Sequence, residues 1–228
     1  TGKPIVLVLM SGRPLAIPWA AEHADGILQA WFLGTMAGPA IVDVLLGSRN
    51  PSARMPVTTP RCVGQVPIHY DSKNTGRPIS KDNPKQKYKS NYLDVANSPL
   101  YPFGYGLSYT SFSYSNLSLS KKRVTMDQTL KVRIELRNEG NRSGEEVVQV
   151  YIRDLVASQT RPIRQLIDFK KVKLAARSGK TVEFHLRAKD LGFFRADGSY
   201  ITEAGDFMIY VGPNSQEGLS AKFSLWTQ

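Results

Sequence analysis

Apolar and polar side chains alternate in several segments beyond residue 110, and no other feature constrains the fold of this chain as strongly. Leu130, Val132, Ile134 and Leu136 are separated by single charged residues. A period of two puts the apolar side chains on one face of a β-strand and the charged ones on the other. This segment is therefore predicted to be a strand with one buried face and one solvated face.

The same alternation recurs often enough to predict about seven strands between residues 111 and 228. Turn-forming sequences rich in Asn, Asp and Gly, at residues 138–141 and 196–199, separate neighbouring strands. A sandwich of the immunoglobulin or fibronectin III type is built from about this many short strands. We therefore predict an all-β sandwich of this type for residues 111–228, with strands near residues 112–119, 130–136, 148–152, 165–174, 182–186, 207–211 and 223–225.

The first 60 residues follow a different pattern, in which strand-sized apolar runs are separated by helical spacing. Residues 5–10 are apolar at every position, as in a parallel strand that is covered on both faces. The order of elements predicts a piece of an α/β layered domain at residues 1–60. Because two strands are too few to complete such a sheet, we expect its earlier strands to precede Thr1. The predicted elements are strands at 5–10 and 26–32 and helices at 18–24 and 37–45.

Residues 61–110 are predicted to form a loop-rich connector between these two parts. Pro, Gly, Ser, Asn and Lys are frequent there, and neither a helical nor a strand period is sustained. Several aromatic side chains favour an ordered, packed segment over a disordered one. They are Tyr70, Tyr88, Tyr92, Tyr101, Phe103, Tyr105 and Tyr109.

The formal net charge of +11 raises the question of a nucleic-acid partner, so its distribution matters. Residues 1–120 hold 11 Lys and Arg against 6 Asp and Glu, and residues 121–228 hold 19 against 13. The excess is thus +5 in one part and +6 in the other, so neither is a basic tail. The sequence indicates no nucleic-acid partner. No apolar run approaches the roughly 18 residues of a membrane span, so no membrane partner is indicated either.

The side chains that usually carry catalysis or bind metals do not form a recognisable motif. The three histidines, His23, His69 and His185, lack the spacing of metal ligands, and the single Cys62 cannot form an intrachain disulfide. We therefore expect no metal and no cofactor, and we assign no catalytic residue. Carboxylates that lie outside any catalytic motif are Glu22, Asp25, Asp43, Asp71, Asp82 and Asp94.

Three connector residues are candidates for binding a sugar. Aromatic and Arg side chains suit sugars, because a sugar ring has apolar faces and many hydroxyl groups. Tyr70, Asn74 and Arg77 could line the entrance of a pocket. Packing between the two parts of the chain explains the same residues, and the sequence leaves both interpretations open.

Several distinctive sequence motifs follow one another along the chain. In chain order they are KPIVLVLMSGRPL at 3–15, WFLGT at 31–35, AIVDVLLG at 40–47, NPSARMP at 50–56, NTGRP at 74–78, LYPFGYGLSYT at 100–110, NEG at 138–140 and SGEEVVQVY at 143–151. Together they resemble the C-terminal part of family 3 glycoside hydrolases, with a likeness to bacterial periplasmic β-glucosidases. The resemblance extends over essentially the whole chain and includes the sandwich.

The resemblance implies a retaining β-glucosidase that hydrolyses terminal β-D-glucosides without a cofactor. In this family the aspartate nucleophile lies in an N-terminal catalytic barrel domain, and the acid/base glutamate precedes the strand at residues 5–10. No residue of this chain inherits either role. The chain is therefore expected to supply a cleft wall and an accessory domain to a periplasmic or secreted enzyme, whose ligands are β-linked oligosaccharides or aryl glucosides. One departure is Met36-Ala37, where relatives often place an acidic residue and glycine.

Two alternative functions stay open at the level of the sequence. A β-xylosidase or an arabinosidase of the same family would share these motifs, because the residues that select the sugar are expected upstream. A stand-alone, non-catalytic carbohydrate-binding module is the other alternative. Its sandwich would bind a carbohydrate or an acidic polymer, and its support is the net charge of +11.

Overall fold

A computed structural model describes residues 2–79 and 86–227, and its N-terminal part is the predicted α/β piece. The first two strands pair in parallel, with Val6 opposite Gly26 and Leu9 opposite Gln29. The Asp25 carboxylate accepts a hydrogen bond from the Ile5 backbone N–H at 2.7 Å and so holds the backbone in place directly before the first strand. The elements are β1 (Val6–Leu9), α1 (Pro18–His23), β2 (Gly26–Gln29) and α2 (Ala37–Leu45).

The α/β piece leaves much of its apolar surface exposed. Ile5 is 52% exposed and Val6 is 51% exposed. Among the described residues, neither α1 nor α2 contributes a buried side chain. The expectation that β1 is covered on both faces is thus wrong for the described chain, although the strand and its parallel pairing are as predicted. Two strands and two short helices hold too little apolar surface to cover each other.

The connector is ordered by hydrogen bonds rather than by regular secondary structure. Within the described residues between α2 and the sandwich, its helical content is a single 3₁₀ turn, Val63–Gln65. The buried Gln65 side chain accepts a hydrogen bond from the Arg61 N–H at 2.6 Å and donates one to the Ala96 carbonyl at 2.8 Å. Asp82 and the other residues at 80–85 lie outside the described part of the chain.

The C-terminal part is the predicted β-sandwich. Its strands are β3 (Phe112–Leu119), β4 (Arg123–Thr125), β5 (Thr129–Asn138), β6 (Gly144–Asp154), β7 (Gln165–Leu174), β8 (Gly179–Arg187), β9 (Phe193–Phe194), β10 (Tyr200–Ile201), β11 (Gly205–Gly212) and β12 (Leu219–Trp226). In the described chain, one sheet has the strand order β4-β12-β11-β6-β7, and a second sheet has the order β3-β5-β8. A small antiparallel hairpin, β9-β10, belongs to neither sheet.

The core of the molecule lies between these two sheets. The alternating apolar residues of β5 face inward and are almost completely buried, while the charged residues between them are exposed. The Phe207 and Phe223 rings stack across β11 and β12 with their centroids 5.5 Å apart. Burying each such side chain stabilises a fold by roughly 1.5–3 kcal/mol. The sandwich therefore holds most of the stabilising apolar contacts of the chain and provides the support on which the connector packs.

Candidate functional site

The carboxyl edge of β1 and β2 is the first candidate site, because loops at this edge of a parallel sheet commonly bind ligands. Arg13 follows β1, and Trp31 and Phe32 follow β2. Trp31 has a φ of 56°, in the left-handed region that is uncommon for a bulky residue. Backbone strain of this kind concentrates at functional sites. We therefore treat this edge as a candidate for ligand contact.

The Phe32 ring is presented to solvent at this edge. It is 78% exposed, and a Cβ atom added to Gly12 would lie only 2.7 Å from its Cε2 atom. Gly12 therefore permits the loop after β1 to approach the ring closely. Ser11 shapes the same loop, because its Oγ donates to the Arg13 carbonyl at 2.9 Å. An exposed aromatic ring suits the apolar face of a sugar, and Arg13 in the same loop is of a residue type that suits its hydroxyl groups.

Tyr70, the first of the three connector candidates, packs against the sandwich. Its ring stacks on Phe103 at 4.2 Å and meets Tyr151 edge-on at 5.9 Å. Its hydroxyl accepts a hydrogen bond from the Leu166 N–H at 3.4 Å. Burial raises the pKa of the Tyr70 hydroxyl above its ordinary value. These contacts give Tyr70 a packing role at the junction, and a role in sugar binding stays a prediction.

Asn74 and Arg77 lie further along the same loop and are exposed. The Arg77 carbonyl accepts a hydrogen bond from the Ser90 N–H at 2.9 Å. In the described part of the chain, no hydrogen bond or ring contact joins either residue to Tyr70. The three candidates therefore share a loop without forming one cluster, and sugar binding by Asn74 or Arg77 also stays a prediction.

A buried ion pair, which the sequence reasoning missed, joins the connector to the sandwich. Arg54 Nη2 donates to Glu146 Oε2 at 2.5 Å, and the two side chains are only 7% and 4% exposed. The Tyr114 hydroxyl donates to the other carboxylate oxygen of Glu146 at 3.0 Å. A sequence signal for this site existed, because Glu146 is in phase with Val148 and Val150, the buried residues of β6. A carboxylate at such a position requires a buried partner.

The electrostatics of this cluster follow from its burial. Burial raises the pKa of the Glu146 carboxyl, while the Arg54 charge and the Tyr114 hydrogen bond act in the opposite direction. Burial also raises the pKa of the Tyr114 hydroxyl, and the nearby Glu146 charge adds to that effect. Tyr114 therefore stays protonated and acts as a hydrogen-bond donor. The cluster binds the two parts of the chain together through charge-assisted hydrogen bonds.

A second set of contacts holds the C-terminal end of α2. The Tyr109 hydroxyl donates to the Val44 carbonyl at 2.7 Å, and Arg142 Nη2 donates to the Gly47 carbonyl at 2.6 Å. The Arg142 guanidinium lies over the Tyr109 ring at 5.6 Å. Carbonyl groups at the end of a helix lack intrahelical partners and carry partial negative charge, so a cation there is stabilising. Tyr109 of the connector and Arg142 of the sandwich thus position α2 from its C-terminal end.

No group of three or more His, Cys, Asp or Glu residues within 2–79 and 86–227 is placed to hold a metal ion. In the same part of the chain, no helix is long and apolar enough to cross a membrane.

Comparison with known proteins assigns a family to both parts of the chain. Residues 1–109 match the glycosyl hydrolase family 3 C-terminal domain, and residues 146–215 match a fibronectin type III-like domain. The structure is similar to a β-glucosidase from Listeria innocua in complex with isofagomine, with a TM-score of 0.94 and 37% sequence identity. That similarity covers 100% of this chain and 31% of the other. The chain carries a glycosyl hydrolase family 3 C-terminal domain at residues 1–109 together with a fibronectin type III-like domain at residues 146–215.

Curated relatives show the same relationship and differ in their named activity. A periplasmic β-glucosidase of Salmonella typhimurium is 45% identical over 225 residues, which are 99% of this chain and 29% of the relative. A putative β-xylosidase of Formosa agariphila is 36% identical over 224 residues, covering 98% of this chain and 28% of the relative. The chain therefore spans about three tenths of the length of these relatives.

Proposed function

We propose that this chain acts as the C-terminal segment of a retaining β-glucosidase that hydrolyses terminal β-D-glucosides. The observation that carries the proposal is the exposed Phe32 ring, which packs against Gly12 in the loop after β1 at the carboxyl edge of a family 3 domain. In this proposal that edge is a wall of the substrate cleft. The fibronectin III-like sandwich is an accessory domain, which supports the wall through the Arg142 contact with the end of α2, and Tyr109 of the connector adds a second contact.

The catalytic carboxylates belong, in this proposal, to the part of the enzyme that precedes the chain. A retaining glycosidase needs two carboxyl groups about 5 Å apart, one as nucleophile and one as acid/base. The partner of the chain is then an N-terminal catalytic barrel domain. Exposed apolar side chains on the α/β piece support such a partner, since a further layer of protein would cover them.

The boundaries and the location are parts of the same proposal. We assign residues 1–60 to the α/β domain, 61–110 to a connector and 111–228 to the accessory sandwich, in accord with the burial pattern. The ligands are β-linked oligosaccharides or aryl glucosides. A periplasmic or secreted location is supported by the name of the Salmonella typhimurium relative.

Aryl β-glucoside hydrolysis tests this proposal. The chain alone should release no aryl group above background, whereas the full-length enzyme should turn over. Replacing Phe32 by Ala in the full-length enzyme should raise KM, since the ring contacts substrate. Phe194→Ala is the matched control, because Phe194 is similarly exposed but lies in the β9-β10 hairpin. Activity of the isolated chain, or equal effects of the two substitutions, would overturn the proposal.

A second candidate activity within the family is the hydrolysis of β-xylosides, which the Formosa agariphila relative favours. A panel of aryl β-glucosides, β-xylosides and α-arabinofuranosides, applied to the full-length enzyme, separates the two. If kcat/KM is highest for β-xylosides, the full-length enzyme is a β-xylosidase and not a β-glucosidase, and the proposed role of this segment is unchanged.

A further inference from the structure

A cleft at the junction of connector and sandwich has no role in the function proposed above. Its volume is about 610 Å³, within the roughly 300–1,000 Å³ that is usual for small-molecule sites. One wall is the segment 106–112, and the opposite wall is the turn between β11 and β12. Arg54, Tyr114 and Glu146 lie at its base. Both walls are thus attached to one buried polar cluster.

The Arg54 side chain brings an unused hydrogen-bond donor to this cleft. Its Nη1 donates to the Ala53 carbonyl at 3.0 Å, and its Nη2 is bound to Glu146. Among the residues that the structure describes, Nε has no partner although the atom is buried. A buried N–H without an acceptor is costly, so such groups in native proteins are normally satisfied by protein, water or ligand. Because Arg54 lines the cleft, a shift of its side chain on binding would bring this N–H to an oxygen atom of a ligand there.

The charges that line the cleft argue against an anionic ligand. Arg54 contributes one positive charge, and Glu146 and Glu217 contribute one negative charge each. The sum of +1 − 2 gives a net charge of −1. Because Arg54 is already paired with Glu146, the exposed Glu217 carboxylate is left to accept hydrogen bonds from a ligand. Hydroxyl groups are suitable donors to it, whereas a second carboxylate would be repelled.

The walls combine apolar surface with hydroxyl groups. Leu107 is 71% exposed on the first wall, and Leu219 on the second wall is 37% exposed. The Ser108 hydroxyl donates to Asn50 Oδ1 at 2.9 Å and accepts from the Thr110 N–H at 3.4 Å, so it keeps one acceptor lone pair, and Ser111 also lines the cleft. A lining that combines exposed apolar side chains with polar groups matches a pyranose ring, which has apolar faces and a rim of hydroxyls.

We propose that this cleft is a non-catalytic binding site for a neutral saccharide of one or two pyranose units. The ring packs between Leu107 and Leu219, its hydroxyls donate to Glu217, and one of its oxygens accepts from Arg54 Nε. The site goes beyond the proposed hydrolytic function, because it needs no catalytic group and lies wholly within this chain. It would hold a saccharide at the junction without cleaving it.

Calorimetric titration of this chain with cellobiose tests the site. One mole of cellobiose should bind per mole of chain, and glucuronate should bind more weakly than glucose because of the negative lining. Leu107→Ala and Glu217→Gln should each raise the dissociation constant about fivefold to tenfold, as expected for one lost contact. Leu93→Ala is the matched control, since Leu93 is a fully exposed leucine outside the cleft, and it should have no effect.

Two further measurements complete the test. Leu107→Ala in the full-length enzyme should leave the KM for an aryl β-glucoside unchanged, so a failure of the proposed cleft wall at β1 and β2 is distinguishable from a failure of this site. Arg54→Lys keeps the charge and removes Nε, and it should weaken cellobiose binding to this chain if circular dichroism shows the fold intact. Absence of any heat of binding, or cellobiose binding that is unchanged in Leu107→Ala, would overturn the proposal and leave water as the occupant of the cleft.

Discussion

At the scale of single residues, the buried pair of Arg54 and Glu146 shows how one carboxylate can hold two parts of a chain together. Its oxygens are occupied by Arg54 and Tyr114, so little of its hydrogen-bonding capacity is unused. A buried pair of this kind contributes little net stability compared with apolar residues of the same size. Removing one partner is different, because the remaining charge stays buried without compensation.

Glu146→Gln should therefore lower the free energy of unfolding by about 3 kcal/mol, since the Arg54 charge would be left buried and unpaired. Urea denaturation followed by tryptophan fluorescence measures the change. The control is Glu183→Gln, which breaks the exposed pair of Glu183 with Arg133 and should hardly move the midpoint. The double variant Arg54→Met/Glu146→Leu should regain much of the loss. Equal midpoints for Glu146→Gln and Glu183→Gln would contradict this account.

Met36 marks a different residue-scale effect, at the start of α2. It precedes the first helical residue, and in the described chain no side chain caps this helix and no acidic residue lies in its first turn. A negative charge near a helix N-terminus is stabilising by about 0.3–1 kcal/mol. Met36→Glu should therefore raise the free energy of unfolding by about this amount, and high salt should reduce the gain.

Thermal unfolding at low and high salt measures the effect of Met36→Glu. Leu46→Glu is the matched control, because Leu46 is similarly exposed and caps the opposite end of the same helix. There the same charge should destabilise the protein. Shifts of the same sign at both ends would show that the helix dipole is not the cause.

Sequence alone predicted the burial of core residues but missed the pairing of buried charges, because burial follows from a local pattern and pairing joins residues that are distant in the sequence. The burial of Leu130 and Ile134 follows from local alternation. The pairing of Arg54 with Glu146 joins residues 92 positions apart, and no local period encodes such a contact. The position of Glu146 in the apolar alternation of β6 could have indicated a buried carboxylate, but its partner Arg54 is identified only in the folded chain.

At the scale of secondary-structure elements, every long strand of the sandwich was predicted, with the observed bounds for β3 and β7 but with up to four residues missing from an end of β6 and β12. The helical spacing over 37–45 gave α2 as Ala37–Leu45. The short strands β4, β9 and β10 were missed, because two or three residues carry no recognisable alternation. Their existence depends on neighbouring strands, as in the pairing of β4 with β12.

Strand β7 shows how an edge is protected from pairing with another molecule. It lies at the end of the five-stranded sheet in the described chain, and it carries Lys170, Lys171 and Lys173. Lysines on edge strands oppose edge-to-edge association. Replacing these three lysines by Thr should therefore promote aggregation near neutral pH, which light scattering during incubation at constant concentration would detect.

The control for this edge variant removes the same charge elsewhere. Replacing Lys73, Lys87 and Lys89 by Thr also lowers the net charge by three, but these connector residues lie outside both sheets of the sandwich. If the two triple variants aggregate equally, net charge and not the β7 edge controls solubility, and the edge argument is wrong.

At the scale of the whole molecule, the chain combines a well-packed sandwich with a thinly packed α/β piece. Every buried residue of the main apolar core lies beyond residue 111. Exposed large apolar side chains, by contrast, are frequent in the first 60 residues, and Trp19, Phe32 and Leu46 are among them. The sequence predicted both architectures. It also predicted that β1 is covered on both faces, which is wrong for the described chain. A continuous apolar run shows which faces of a strand can be buried, but it does not show whether other elements of the chain cover them.

This difference predicts an uneven distribution of local stability. Amide groups open locally with free energies that range from near zero up to the global stability, and weakly packed elements lie at the low end. Amides of β1 and β2 should therefore exchange with deuterium much faster than those of β5 and β6, although all four strands are hydrogen-bonded. Hydrogen-exchange mass spectrometry measures both regions in one sample.

In a longer form of the protein that carries the proposed N-terminal catalytic domain, exchange of β1 and β2 should slow markedly while that of β5 stays unchanged. Equal protection of β1 and β2 and of β5 and β6 from exchange in this chain would contradict the prediction. It would show that contacts with the connector and the sandwich alone stabilise the α/β piece, and that its exposed apolar surface needs no further layer of protein to cover it.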